Sequence, residues 1–445
     1  MTKRQAWGAI GLAVAAFAAF AAGAAGAAVA AVAAGAADSH LGVASCASSL
    51  CHGSARPLEA TAVQQNEYVT WSHFDPHARA YRLLLEPAGQ RIAQRLGLGA
   101  AEKAPECLAC HAEDVPVAQR GPRFQLTDGI GCESCHGAAE RWLATHDDAP
   151  RVSHADNLAN GLYPIESPTA RAKVCLACHV GDESRFASHR MMAAGHPRLS
   201  FELDTFTELW RTSGGREHFR RDQDYVQRKP PAQGSTVWIA GLLRATLAQA
   251  ELLRSPHFQS SGALPEFALY NCYSCHRSMR FAYGVGRGLA GGLEPGSLRL
   301  DDSRLVMLSA VFAAVEPQLN TELRSRTAEL HRAAATSRER AAVASQSITE
   351  LLTGFEKGGA FSLTSAQKKA VLQALVSAAE SGDFPDYVAA EQAAMAVVLL
   401  LAETGRDQAL RPQVDALFEA LAQDDRYDAA RFERLMRRLR DERKE

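Results

Sequence analysis

The chain of 445 residues lacks an excess of charge of either sign. Its 48 Lys and Arg nearly balance its 50 Asp and Glu, which leaves a formal net charge of −2. A protein that binds nucleic acid by neutralising phosphates needs a basic surface, so the composition argues against that class. The polar bias of disordered proteins is also missing, because 47% of the residues are hydrophobic. A globular protein with room for two domains is predicted.

The N-terminal segment lacks charge almost completely. Residues 1–37 contain Lys3 and Arg4 and then an apolar run, mostly Ala and Gly, from Ala6 to Ala37. A basic start, a long apolar stretch and small residues at its end predict a cleaved export signal. The run is long enough to span a bilayer, so an anchor in the inner membrane is the alternative. Both interpretations place the rest of the chain in the periplasm.

No cysteine stands outside one repeated pattern. The 10 cysteines form five pairs, and a histidine follows each pair directly. Four of the pairs read C-x-x-C-H, and the first has a four-residue spacer. In chain order, motifs 1 to 5 are Cys46/Cys51/His52, Cys107/Cys110/His111, Cys132/Cys135/His136, Cys175/Cys178/His179 and Cys272/Cys275/His276.

This pattern is typical of covalent haem attachment. The two thiols bond to the haem vinyl groups, and the adjacent histidine then binds the iron. A zinc site would not place a histidine after every second cysteine, and five successive C-x-x-C disulfides would be strained, redox-active bonds. Five covalently attached c-type haems are therefore predicted. The ten cysteines are their attachment points, and the five motif histidines are their proximal iron ligands.

The predicted haems change the expected charge. Loss of Lys3 and Arg4 with the export segment takes the net charge from −2 to −4. Five ferric haems with their propionates then bring the total to about −9. An acidic protein of this kind is expected to bind redox partner proteins that carry a basic docking surface.

Composition divides the exported part of the chain. Residues 38–283 hold all five motifs between loops rich in Gly and Pro, and they predict a loop-rich haem domain in which the haems themselves form much of the core. Residues 284–298 are Gly-rich and predict a linker. Residues 299–445 contain no cysteine, and their apolar residues recur at helical spacing. A C-terminal helical bundle is predicted there, and the predicted fold class is mainly α.

Two helices of this bundle have recognisable ends. Thr364 or Ser365 is the predicted N-cap of a helix that Gly382 stops. A second helix is predicted from about Asp386 to Glu403.

Each haem iron either takes a sixth ligand or leaves a position open for chemistry. Ten histidines lie outside the motifs, so counting alone decides nothing. Asp75 before Pro76 predicts a helix N-cap that places His77 in the first helical turn. His189 and His196 are seven residues apart, two turns if helical, and would point the same way.

The run from His77 through motifs 2 and 3 resembles the tetrahaem cytochrome c-554 family, which is related to the hydroxylamine oxidoreductase group. Its most specific part is the sequence GIGCESCHG at residues 129–137. The resemblance covers roughly Cys46 to His179. It implies a largely helical fold around stacked haem pairs, with electron transfer from hydroxylamine oxidoreductase. It also implies His77 and His146 as distal ligands and a five-coordinate haem at His111.

The chain departs from that family in its motif 1 spacer, in a longer segment before His77, in its fifth motif and in its helical C-terminal part. The stretch that begins Gly195-His196-Pro197 resembles segments of larger multihaem cytochromes, which supports His196 as a ligand. The predicted distal ligands are His77, His146, His189 and His196. The other histidines rank below them: His218 and His257 come next, His73 and His154 stay open, and His40 and His331 are predicted at the surface.

The sequence thus predicts an exported pentahaem cytochrome that carries electrons between redox partners, more a carrier than an enzyme. The alternative is an oxidoreductase in which an open haem at His111 acts on a small nitrogen or sulfur compound. No lysine replaces a motif histidine, as in ammonia-forming nitrite reductases, which counts against that chemistry. A membrane-tethered subunit, held through residues 1–37, is the third hypothesis.

Overall fold

The structure is a computed structural model that describes residues 38–59, 63–148, 151–212, 216–260, 262–276, 288–290, 293–294, 297–358 and 361–440. The predicted export segment 1–37 and parts of the predicted linker 284–298 lie outside the described residues. The described residues form 19 α-helices and no β-strand, which confirms the mainly α fold class.

The α-helices are numbered here in chain order. They are α1 Glu67–Phe74, α2 Ala80–Leu85, α3 Pro87–Leu96, α4 Pro105–His111, α5 Cys132–His136, α6 His154–Ala159, α7 Pro168–His179, α8 His189–Ala193, α9 Leu203–Thr212, α10 Gln223–Arg228, α11 Gly234–Leu252, α12 Pro256–Gln259, α13 Ser303–Val315, α14 Pro317–Thr336, α15 Arg338–Lys357, α16 Ser365–Ser381, α17 Tyr387–Glu403, α18 Arg411–Ala420 and α19 Ala429–Arg438. Short 3₁₀ turns include Pro76–Arg79, Phe267–Leu269, Cys272–Ser274 and Asp424–Arg426.

The haem-motif part of the chain has little apolar core of its own. One small cluster joins α2, α3 and α4 through Leu84, Ala93 and Leu108. A second cluster joins α7, α9 and α11 through Leu176, Leu203 and Val237. Such small clusters bury little apolar surface, and apolar burial is the main stabilising term in folding. Large planar haems are therefore expected to complete this core.

The large apolar core lies further along the chain. It runs from Trp238 to Leu439 and includes the buried side chains of Phe312, Leu375 and Leu400. Helix α11 is apolar on nearly all faces, as expected of a helix that is surrounded by others. It packs on α7 and α9 on the motif side and on α13, α15 and α17 of the C-terminal part. This one helix thus joins the haem-motif part to the bundle.

The two predicted helix ends in the bundle are confirmed. Thr364 is the N-cap of α16 in a capping box with Gln367, and Gly382 ends the helix with a φ of 79°. Asp386 is the N-cap of α17, which ends at Glu403. Both helices begin at side-chain oxygens that accept bonds from the first free backbone N–H groups.

The predicted domain boundaries stay predictions, although α11 belongs by sequence to the predicted haem domain and by packing to the larger core as well. Among the described residues, no helix is long and apolar enough to cross a membrane.

Candidate functional site

Three of the five motifs form the last turn of a helix. Helices α4, α5 and α7 end at His111, His136 and His179, respectively. Both cysteines of such a motif lie three residues apart and share one helix face. A proline at N1 begins both α4 and α7. All ten cysteines are described and are free of disulfide bonds, so their thiols are open to haem attachment.

The other two motifs lie in tighter turns. In motif 1, the longer spacer forms a turn in which the His52 N–H donates to the Cys46 carbonyl at 3.2 Å. In motif 5, a 3₁₀ turn begins at Asn271, whose side chain accepts a bond from the Tyr273 N–H. The variant motif 1 therefore still brings its histidine back to its first cysteine.

Every motif histidine faces one histidine from elsewhere in the chain. The ring centroids of these five pairs are separated by 6.1–6.4 Å, and no histidine takes part in two pairs. The pairs are His52/His146, His179/His77, His111/His196, His136/His218 and His276/His189.

This spacing fits an iron between two imidazoles. Metal–nitrogen bonds of about 2.0 Å, with each ring centroid about 1.1 Å behind its nitrogen, separate the centroids by about 6.2 Å. The donor set is also correct, since two thiols of a haem-attachment motif accompany each pair. The residues present therefore fit five haems with two axial histidines each.

Half of the paired histidines are oriented by a hydrogen bond at Nδ1. That bond fixes the proton on Nδ1 and leaves Nε2 free for a metal. The bonds are His52 to Glu67 at 2.8 Å, His77 to Asp75 at 2.9 Å, His111 to the Ala80 carbonyl at 3.0 Å, His146 to the Leu143 carbonyl at 2.7 Å and His196 to the Pro197 carbonyl at 2.7 Å. The predicted N-cap Asp75 is confirmed and binds both the backbone N–H and the ring of His77.

Burial keeps several of these rings neutral, as metal ligation requires. Burial lowers the pKa of His136 and of His179 to about 4. Burial also lowers the pKa of His111 and of His218. His52 and His77 are different, because the hydrogen bonds from their rings to the Glu67 and Asp75 carboxylates raise their pKa. A carboxylate partner makes the ring a stronger electron donor to a bound metal.

The thiols bring the motifs together in pairs. The thiols of Cys46 and Cys132 lie within hydrogen-bonding distance, which joins motif 1 to motif 3. The thiols of Cys110 and Cys178 do the same for motifs 2 and 4. Helices α5 and α7, which end in motifs 3 and 4, pack on one another. Haems at these four motifs would therefore be close neighbours.

The fifth motif meets its partner histidine beside the bundle. The His189 N–H donates to Glu266 at 2.8 Å, and the His189 ring meets the edge of Phe267 at 5.5 Å. Motif 5 is held by Asn271, which donates to Asp386 of α17 at 2.6 Å. The segment with Glu266 and Phe267, together with the bundle, thus positions the His276/His189 pair.

The predicted distal ligands His77, His146, His189 and His196 each lie opposite a motif histidine. His189 and His196 do not serve a common site, however, because α8 ends at Ala193 and their rings face different motifs. The expected open position at His111 does not agree with this arrangement, since His196 lies across from it at 6.4 Å.

Sequence reasoning ranked one residue of the five too low. His218 lies opposite His136 at 6.3 Å, on a loop between α9 and α10. Its neighbours Glu217 and Phe219 carry no ligand signature, and the pairing is brought about by the fold alone. Only the count of unassigned histidines pointed to it.

The prediction that His331 lies at the surface is wrong. Its ring is 2% exposed in the core of the bundle, and its Nε2 lies 2.9 Å from Asp302. Asp302 also accepts two bonds from the buried Arg299 guanidinium. A buried ion pair needs such additional partners, which the local helical pattern did not indicate.

The remaining histidines outside the five pairs have protein partners. Their contacts are His40 Nδ1 to Glu113, His73 Nδ1 to the Val69 carbonyl, His154 Nε2 to Glu166 and His257 Nε2 to the Glu183 carbonyl. His154, His257 and His331 therefore use the Nε2 atom that a haem ligand of this kind needs to keep free. His40 is half-buried rather than fully at the surface.

Residues 44–137 match the family model for cytochrome c554 and c-prime, and this segment contains motifs 1 to 3. No curated protein and no solved structure matches the chain. The family implies covalently bound c-type haem and a part in electron transfer. Over residues 44–137, the chain is therefore similar to the cytochrome c554 and c-prime family.

Proposed function

We propose that this protein is an exported, periplasmic pentahaem cytochrome c in which every haem is held between two histidines and electrons pass between redox partners. The carrying observation is the set of five separate histidine pairs at 6.1–6.4 Å, each with one motif histidine. Five attachment motifs and five pairs use ten histidines once each, and chance contacts would not divide so evenly.

Such ligand sets suit electron transfer. Haem iron supplies one-electron redox chemistry when it is bound. A haem held between two histidines would have no coordination position left for a substrate. The chain holds these rings by hydrogen bonds to Glu67, Asp75 and backbone carbonyls, so they need not move when the charge changes. We therefore assign the residues a holding role and no bond-making chemistry.

The enzymatic alternative needs an open haem at His111. The ring of His196 at 6.4 Å from His111 supports a filled position instead. The Arg95 guanidinium donates to the Ala194 carbonyl at 3.0 Å, next to His196, and Arg190 donates to the Leu96 carbonyl at 2.9 Å. These bonds tie the His196 segment to α3, so this ligand is not on a free loop.

Electron delivery requires partners. An expected charge of about −9 for the loaded protein favours redox proteins with a basic docking surface. A tether through residues 1–37 would hold the protein at the inner membrane. Sequencing the N-terminus of the mature protein tests this alternative, because it shows whether residues 1–37 are retained.

The proposal is tested by counting haem chemically and recording an electron paramagnetic resonance spectrum of the oxidised holoprotein. Five haems per chain, all low-spin, are expected. Three pairs have ring planes 84–89° apart and two have planes 25° and 38° apart. Since the angle between axial ligand planes sets the anisotropy of the signal, two classes of low-spin signal are expected. A haem count below five or a high-spin signal would overturn the proposal.

A further inference from the structure

The contacts between motifs place four haems in a fixed sequence. Haems are numbered here by motif. Haems 1 and 3 are joined at Cys46 and Cys132, and haems 2 and 4 at Cys110 and Cys178. Helices α5 and α7 connect haems 3 and 4. The order through these contacts is 1, 3, 4, 2.

The fifth haem joins this line at haem 2. Its distal ligand His189 and the haem 2 ligand His196 share one short segment, which begins at the N-cap Ser188. The His196 N–H donates to the Met191 carbonyl at 3.1 Å, so the chain turns at Gly195, just beyond the end of α8. Only six residues separate the two histidines in this segment. The two haems are therefore close neighbours, and haem 2 lies inside the line rather than at its end.

The exposure of the cysteines marks the two ends. Cys51 of motif 1 and both Cys272 and Cys275 of motif 5 are exposed, whereas the other seven cysteines are buried or half-buried. Haems 1 and 5 are thus at the ends of the order 1, 3, 4, 2, 5 and also have the most accessible attachment points.

An acidic loop of the bundle lies against motif 5. Tyr273, within the motif, donates its hydroxyl to the Tyr427 carbonyl at 2.9 Å, and the two rings lie 5.9 Å apart. The loop before Tyr427 carries the exposed carboxylates Asp424 and Asp425, with Arg426 as its single cation. Tyr427 is itself buried and donates its hydroxyl to the Phe384 carbonyl, which anchors the loop.

We infer that haem 5 is the terminal electron port of the protein, and that the loop 424–428 guides to it a redox protein with a basic surface. This inference rests on the proposed function. One electron leaves a ferrous haem 5 and reduces the oxidised metal centre of the partner by one unit, or the reverse, with no proton or bond transferred. The fifth motif and the bundle thus form the docking end of the line.

The first test removes the loop charges from the holoprotein. The variant Asp424→Asn/Asp425→Asn is compared with Glu322→Gln/Glu329→Gln, which neutralises two exposed carboxylates on α14. The probe is a ferrous, basic, single-haem cytochrome c, and the second-order rate of electron transfer is measured by stopped flow. Measurements at about 0.01 M and about 1 M ionic strength change the Debye length from about 30 Å to about 3 Å.

The loop variant is expected to react about tenfold more slowly at low ionic strength, and the matched variant less than about twofold, because steering charges act at the docking patch. The difference should vanish at high ionic strength. Equal slowing of both variants, or no slowing of the loop variant, would overturn the docking assignment.

The second test determines through which terminal haem, 1 or 5, electrons leave the protein. His189→Met and His146→Met each replace the distal ligand of a terminal haem by methionine, which raises its potential. Oxidation of the fully reduced protein by the ferric probe is followed. If electrons leave through haem 5, His189→Met slows the whole reaction, whereas His146→Met slows only one haem in five. If instead His146→Met slows the whole reaction and His189→Met slows only one haem in five, the inference is refuted.

The two proposals fail differently. Haem count and spin state are measured on every variant first, and a wrong count or a high-spin wild type counts against the pentahaem function. With five low-spin haems in wild type and unchanged rates in the loop variant, the function stands and the port assignment falls.

Discussion

The sharpest prediction concerns His218, the proposed ligand that local sequence did not single out. Its ring lies across from His136 at 6.3 Å. Replacing His218 by Gly removes one of two axial ligands and leaves space for a small molecule. The remaining ligand His136 is half-buried at the end of α5 and keeps its place.

The size of the effect follows from the motif count. One haem in five becomes high-spin in the oxidised protein, and the reduced protein binds one carbon monoxide per chain where the wild type binds none. Electron paramagnetic resonance and carbon monoxide titration measure these two quantities. Added imidazole should restore the low-spin state, because the vacated volume is that of the lost ring.

His257→Gly is the matched control. Sequence ranking placed His257 beside His218, yet the structure shows its ring stacked on Phe186 at 4.7 Å with Nε2 donating to the Glu183 carbonyl. This variant should keep five low-spin haems and bind no carbon monoxide. The reasoning from ring separation is refuted if the two variants behave alike, or if His218→Gly leaves all haems low-spin.

Three other outcomes concern stability and potential. Asp302→Asn should lower the free energy of unfolding by about 3 kcal/mol, since Arg299 stays buried without its carboxylate, whereas the exposed control Asp415→Asn should change it little; denaturant unfolding of the holoprotein measures both. Burial opposes ionisation of Asp302, but Arg299 and His331 together outweigh it, and the pKa of Asp302 falls to about 2. The depressed pKa contributes about 2 kcal/mol of stability above pH about 4, and this contribution is lost as pH falls through about 2. Acid should therefore narrow the difference in stability between wild type and Asp302→Asn. Glu67→Gln should raise the potential of haem 1 by about 50 mV in a redox titration, because the neutral amide is a weaker acceptor for His52.

Much of the fold could be predicted because its signals are local. The capping box at Thr364, the stop at Gly382 and the N-cap at Asp386 lie where side-chain chemistry and spacing put them. The shared packing of α11 could not be predicted in this way. Its apolar residues cover nearly every face, so no pattern tells which neighbours surround it.

The candidate site also contains residues that local sequence identifies and residues that only the fold brings together. Proximal ligands are adjacent to their cysteines, so the motif identifies them without any knowledge of the fold. Distal ligands come from distant parts of the chain, and His218 lies 82 residues from His136 by number. His331 shows the reverse error, since its lone position in a helical pattern gave no sign of Asp302 and Arg299, which bury it.

The placement of the bundle suggests why a chain with five motifs carries so long a helical part. The motif side has only small apolar clusters, while the large core continues from α11 through the last helix. Asn271 directly before motif 5 bonds to Asp386, and Tyr273 within it bonds to the Tyr427 carbonyl. Two bonds from different bundle elements thus fix the motif on both sides of Cys272. An added haem far from the other motifs in sequence needs such support, because its distal ligand His189 comes from the segment that already serves haem 2. In the proposed pentahaem protein, the bundle is therefore the scaffold that holds the fifth haem at the end of the inferred haem order.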